Sequence, residues 1–218
     1  MSQEVMQSIE KEKIIAIVRG VKADQCMSVA EALYIGGIRL MEITFDQQKP
    51  DSFCHTAEAI GAIGKKFAGK MLIGAGTVLT PEQVNLVSVA GARFIISPDM
   101  NREVIRHTKK MKLISIPGAM TPTEIITAHR EGADFVKLFP AAELGLKYIK
   151  AIKSPISHVK MMAVGGIDEK NMADFLSVGI CGFGVGGNLV NKKWIEAGEY
   201  SKITDTALMM TKTVKNIA

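Results

Sequence analysis

The feature that most constrains this chain is an alternation: eight short apolar runs, each followed by a stretch with helix starts and stops. The runs are Lys13–Val18, Arg39–Phe45, Met71–Thr77, Arg93–Pro98, Lys112–Pro117, Asp134–Pro140, Lys160–Gly166 and Gly182–Gly187. Each has the length of a strand and is apolar enough to be covered on both faces, as strands of a parallel sheet are. Between them, Asp24, Asn101 and Asp168 read as helix N-caps, and Thr80-Pro81 and Thr121-Pro122 as a cap with proline at the first helical position. Gly36-Gly37, Gly91, Gly132 and Gly179 read as stops. The intervals Thr80–Gly91, Thr121–Gly132 and Asp168–Gly179 have equal length, so the unit repeats in structure without repeating in identity. Ser52–Lys66 and Glu143–Ile152 read as further helices, Met1–Lys13 as a short amphipathic one, and the tail Asn191–Ile217 as helical. With no linker and no shift of composition, this predicts one α/β domain over residues 1–218. The expected fold is a closed (β/α)8 TIM barrel with an extra N-terminal helix, an open doubly wound sheet being the other way to arrange such units. The length, 218 residues, is short for a barrel and requires tight loops.

Composition removes several classes of function. No apolar run has membrane-spanning length, and the N-terminus lacks a signal-peptide core. Cys26, Cys54 and Cys181 are scattered, which predicts free thiols in a reducing cytoplasm. His55, His107, His129 and His158 show no ligand spacing with one another or with cysteine, so no metal site is expected. The net charge of +5 is modest and comes from dispersed basic residues, and aromatics make up only 6%, which argues against nucleic acid; the charge slightly favours small anionic ligands or serves solubility equally well.

In such a barrel chemistry sits at the C-terminal ends of the strands, so polar residues of inward parity near those ends are the candidates. Side chains alternate faces along a strand, and Phe135, Lys137 and Phe139 therefore share one face. A lysine sent inward must be paired or lose its charge, and a neutral amine in a dry pocket is a nucleophile towards carbonyls. Glu42 shares a face with Leu40 and Thr44, while Met41, Ile43 and Phe45 form an apolar face suited to helices, so Glu42 also points inward. Two such groups form either a structural ion pair or a nucleophile with its general acid/base. Thr77 follows Gly74-Ala75-Gly76, whose small side chains would leave room for a ligand. Arg19 ends the first strand and offers a fork of donors to a carboxylate or to a rim ion pair. Gly165-Gly166 and Gly186-Gly187 end the last two strands, either as tight turns or as the backbone phosphate site common at that position.

Taken together, Glu42-Ile43-Thr44, Gly74-Ala75-Gly76-Thr77-Val78-Leu79, Ile96-Ser97-Pro98, Val136-Lys137-Leu138-Phe139-Pro140-Ala141 and Val164-Gly165-Gly166-Ile167 resemble the motifs of the 2-keto-3-deoxy-6-phosphogluconate (KDPG) / 4-hydroxy-2-oxoglutarate (KHG) aldolases. The resemblance runs from about Ile14 to Val190. It implies a class I lyase of carbohydrate metabolism, such as the Entner–Doudoroff cleavage, that needs no metal or other cofactor. It also implies a cytoplasmic homotrimer taking a small-molecule 2-keto acid, with no nucleic-acid or membrane partner. Lys137 would form a Schiff base with pyruvate and Glu42 would shuttle protons. Thr77, Pro98 and Phe139 would line the pyruvate pocket, and Gly165, Gly166, Gly186 and Gly187 would sit at the phosphate end.

The chain departs from the family pattern at two places. Where many phosphogluconate aldolases carry a carboxylate-binding arginine four residues after the glutamate, this chain has Asp46. Relatives acting on 2-keto-3-deoxy-6-phosphogalactonate carry an arginine after the first strand instead, in a string similar to Ile15-Ala16-Ile17-Val18-Arg19-Gly20, which makes Arg19 the expected carboxylate ligand. The last glycine turn, often followed by serine in the family, is here Gly187-Asn188, which keeps a non-phosphorylated substrate open. A phosphate-binding barrel isomerase without covalent catalysis and a non-catalytic sugar-acid binder are the readings from other classes, and covalent capture of pyruvate separates them.

Overall fold

A computed structural model describes residues 2–217. The order is α1 (Ser2–Glu12), β1 (Ile14–Val18), α2 (Ala23–Ile35), β2 (Leu40–Thr44), α3 (Phe53–Lys66), β3 (Leu72–Gly76), α4 (Pro81–Val89), β4 (Phe94–Ile96), α5 (Arg102–Lys110) and β5 (Ile114–Ile116). It continues with β6 (Gly118–Ala119), α6 (Pro122–Arg130), β7 (Val136–Leu138), α7 (Ala141–Lys153), β8 (Met161–Val164), α8 (Met172–Ser177), β9 (Gly182–Val185), α9 (Lys192–Glu196) and α10 (Tyr200–Lys215). All strand pairs are parallel, in the order β5-β4-β3-β2-β1-β9-β8-β7-β6. β5 and β6 are two halves of one stave. Pro117 has no N–H to give the ladder, so the stave breaks there. β5 pairs with β4 on one side and β6 with β7 on the other. Amides of Asp134 and Phe135 donate to Ser115 O at 3.0 and 3.3 Å, and that of Lys137 to Pro117 O at 2.8 Å, closing the ring into the expected eight-stave barrel.

The two side-chain parities separate into two cores. Ile15, Leu40, Phe94, Ile96, Ile114, Ile116, Phe135 and Met162 pack inside the barrel. Ala16, Met41, Ile43, Ile73, Ile95, Val136 and Ala163 face the helices. α1 supplies Val5 and Ile9 to the inner cluster, so it packs on the end of the barrel core rather than in the outer helix layer. Its Ser2 hydroxyl also donates to Lys112 O, just before β5.

Several helix boundaries differ from the sequence reading. Thr80, Asn101 and Thr121 cap as expected, Thr121 within a capping box closed by Glu124. Asp24 lies in the first turn of α2, one residue past its start, and makes no cap bond there. Asp168 forms a turn of its own, accepting from the amides of Lys170 and Asn171, and the helix follows only at Met172. α7 begins at Ala141, earlier than Glu143, and breaks at Gly145, whose φ of 74° no helix uses. The tail is two helices parted at Gly198. Met1 lies outside the described residues.

Candidate active site

β7 is tied down at its start. The Asp134 carboxylate takes the Lys109 ammonium at 2.6 and 2.7 Å and the Ser115 amide at 2.8 Å. The alternation then carries Phe135 into the inner core, Lys137 one layer higher, and Phe139 to the rim. Lys137 is 4% exposed and its Nζ stands 4.9 Å from the centre of the Phe139 ring. Burial pushes its pKa below the ordinary lysine value; the Glu42 carboxylate opposes this and the Arg19 guanidinium adds to it. Among the described residues Lys137 makes no ion pair, so the structural pairing left open by the sequence is not formed. Desolvation thus favours its neutral amine over the ammonium.

Glu42, on β2, is 1% exposed. Burial raises its carboxyl to about 7, against the attraction of Lys137 and Arg19. Its Oε2 has no hydrogen-bond partner among the described residues. The carboxyl leans over the neighbouring stave, where a Cβ on Gly76 would stand 2.7 Å from it. Only glycine leaves that space. On the same stave, a Cβ on Gly74 would meet the Phe94 ring at 2.2 Å. The gaps at Gly74 and Gly76 thus hold Phe94 and Glu42 rather than opening directly onto a ligand.

Above these groups lies a cavity of about 630 Å³ at the C-terminal mouth of the barrel. Arg19, Thr77, Pro98, Lys137, Phe139, Gly165, Gly166, Gly186 and Gly187 all line it. The site residues proposed from sequence therefore line one cavity, except Glu42, which is buried and outside its lining. Arg19 Nη2 donates to Thr77 Oγ1 at 3.1 Å, bringing the guanidinium across from the first stave to the third. Asp46 is exposed, 3.8 Å from Lys49, and does not line the cavity.

The glycine end has the properties of an anion cradle. Gly165 and Gly166 both have positive φ, 94° and 70°. The carbonyls of Gly165, Gly166 and Gly186, which would repel an anion, are occupied by the Ala142 amide, the Asn171 side-chain amide and the amides of Leu189 and Val190. Asn188, read from sequence only as the residue after the last glycine turn, and Lys192, which sequence reasoning missed, line the same end. Lys192 makes no ion pair or hydrogen bond among the described residues, and its Nζ lies over Gly20. One signal was present: Asn191 caps α9 through the Lys193 amide, placing two lysines in a first turn where the helix dipole favours acids. Among the described residues no group of three or more His, Cys, Asp or Glu is placed to hold a metal ion.

Comparison with known proteins gives a consistent picture. The family model described as KDPG and KHG aldolase matches residues 5–206. A 2-dehydro-3-deoxy-6-phosphogalactonate aldolase of Escherichia coli K12 is 36% identical over 185 residues, covering 84% of this chain and 87% of that protein. A 2-dehydro-3-deoxy-phosphogluconate aldolase of Treponema pallidum is 36% identical over 204 residues, covering 92% of each. The KDPG aldolase of Legionella pneumophila, solved with pyruvate captured as a covalent carbinolamine, superposes with a TM-score of 0.84 at 30% identity, covering 96% of this chain and 98% of that one.

Proposed function

Because the chain belongs to the KDPG and KHG aldolase family and is thus an aldehyde-lyase, we propose that it works as a class I enzyme through Lys137. The proposed substrate is a 6-phosphorylated 2-keto-3-deoxy sugar acid of the gluconate or galactonate series, cleaved to pyruvate and glyceraldehyde 3-phosphate. The observation that carries this reading is Lys137 itself: an amine 4% exposed, without an ion pair among the described residues, lining a cavity and close enough to the buried Glu42 carboxyl to feel its charge. The non-covalent isomerase and the non-catalytic binder have no place in this family.

In the proposed mechanism neutral Lys137 Nζ attacks the C2 ketone, giving a carbinolamine that loses water to a protonated imine. The carbinolamine held by the Legionella relative supports this first step. Glu42 takes the proton of the C4 hydroxyl, and the C3–C4 electron pair moves into the imine, leaving an enamine and releasing the aldehyde. Glu42 returns the proton to C3. Water then hydrolyses the imine, freeing pyruvate and the amine. A carboxyl with a pKa of about 7 suits both directions of this transfer. Arg19 with Thr77 receives the C1 carboxylate, Pro98 and Phe139 enclose the pyruvyl part, and Gly165, Gly166, Gly186 and Gly187 with Lys192 face the phosphate. The imine is the electron sink, so no metal or other cofactor is required. A cytoplasmic homotrimer in carbohydrate metabolism fits this reading.

A second reading has 4-hydroxy-2-oxoglutarate as substrate, giving glyoxylate. Lys192 favours it as well, since an unpartnered ammonium takes a second carboxylate as it would a phosphate. Borohydride reduction in the presence of pyruvate should attach a pyruvyl group to Lys137, and Lys137→Arg should lose nearly all turnover. Peptide mapping with no adduct, or an adduct on another lysine, overturns the assignment. Initial rates on the three synthetic substrates then rank the two readings.

A further inference from the structure

Among the described residues three that are not glycine have positive φ: Lys13, Lys112 and Thr77. The two lysines stand just before β1 and β5, at the barrel end opposite the cavity. Thr77 stands at the mouth, with φ of 56°. For a β-branched residue this conformation is an outlier that costs about 1–3 kcal/mol and persists only where surrounding structure holds it.

A chain of amides does the holding. Gln47, in the loop after β2, donates through Nε2 to Thr77 O at 2.6 Å. Gln83 Nε2 donates to Gln47 Oε1 at 2.9 Å, and the Leu79 amide donates to Gln83 Oε1 at 2.7 Å. Gln83 is 4% exposed, so its polar groups are satisfied away from water. The chain thus spans both sides of Thr77: its carbonyl is gripped from the β2 loop, and the backbone two residues on is gripped from α4. On the cavity side the Thr77 hydroxyl accepts from Arg19.

We propose that the Gln47–Gln83 amide pair positions Thr77, and through it the Arg19 guanidinium, for the substrate carboxylate. Neither glutamine lines the cavity; they act through the residues that do. This rests on the reading of Arg19 as the carboxylate ligand.

The test uses the full-length protein and measures pyruvate affinity from the concentration dependence of borohydride trapping. Gln47→Met keeps the length and removes the donor, and should weaken pyruvate binding roughly five- to ten-fold, as expected for one lost hydrogen bond. The extent of trapping at saturating pyruvate should be unchanged. In an Arg19→Ala background the same substitution should have almost no effect, because the group it positions is gone. Gln47→Glu should be at least as poor as Gln47→Met at pH 8 and should recover relative to the parent as its carboxyl gains a proton to donate. A purely structural role would lower melting temperature by the same amount with or without Arg19 and leave affinity alone. Unchanged affinity in Gln47→Met, or a full effect persisting without Arg19, overturns the proposal. If Arg19→Ala by itself binds pyruvate normally, the Arg19 reading falls, and this proposal with it.

Discussion

In the proposed mechanism Glu42 puts stability and chemistry in opposition at one position. Its carboxyl is raised in the folded protein from 4.5 to about 7, first by desolvation. A raised value means the fold favours the protonated form. Its contribution to stability is therefore complete below pH 4.5 and is lost as pH climbs through about 7. Glu42→Gln is neutral at every pH and escapes that loss. Its melting temperature should exceed the parent's, with a gap that widens from pH 4.5 to about 7 and then levels. The same variant should exchange the pyruvate methyl protons with solvent deuterium roughly 100- to 10,000-fold more slowly, the usual worth of a positioned acid/base. A constant melting gap across the range would mean that the carboxyl titrates in the fold as it does in the unfolded chain, so that its pKa is not raised. This residue was legible in the sequence because strand parity is binary: one apolar face on Met41, Ile43 and Phe45 left Glu42 no other side. The Lys137 assignment follows from the same alternation.

At the scale of elements, the staves and the helix starts at Thr80, Asn101 and Thr121 were readable, and the finer breaks in the connections were not. The apolar runs carry β1 to β9 because burial on both faces leaves a sequence trace wherever it occurs. The break at Pro117, the kink at Gly145 and the late start of α8 depend on local backbone geometry that several sequences satisfy equally. Lys192, Gln47 and Gln83 were missed for a related reason: each acts from a loop or a helix start, where no period fixes direction. Arg19 is the intermediate case, since β1 fixes its base and Thr77 its tip. Arg19→Ala should weaken pyruvate binding by roughly ten- to a hundred-fold, the equivalent of a charged hydrogen bond of about 1.5–3 kcal/mol. Asp46→Arg should do no harm to that affinity, because Asp46 lies outside the cavity, beside Lys49. Affinities from tryptophan-independent trapping or calorimetry decide both; equal affinity in Arg19→Ala removes the arginine from the site.

Across the whole molecule the barrel has one open end and one covered end. The mouth carries the cavity, and α1 places Val5 and Ile9, 3% and 1% exposed, against the inner core from the chain's beginning. Ile9→Ala should cost about 2–5 kcal/mol of unfolding free energy by cavity formation. Pyruvate trapping on Lys137 at low temperature should stay at the parental level. Denaturant midpoints and trapping yields measure the two halves of that expectation, and a loss of trapping with stability intact would tie α1 to the site. α1 also has a consequence for how the chain comes into being. Its partners are β5 and β9, and its Ser2 reaches a carbonyl 110 residues away. Closing so long a loop gains nothing until the far strands exist. During synthesis, then, this amphipathic helix emerges before every stave, and its packing surface is incomplete until β9, the last stave, follows. It is made before the staves that bury it, and during that interval its apolar stripe is exposed to the encounters that chaperones prevent.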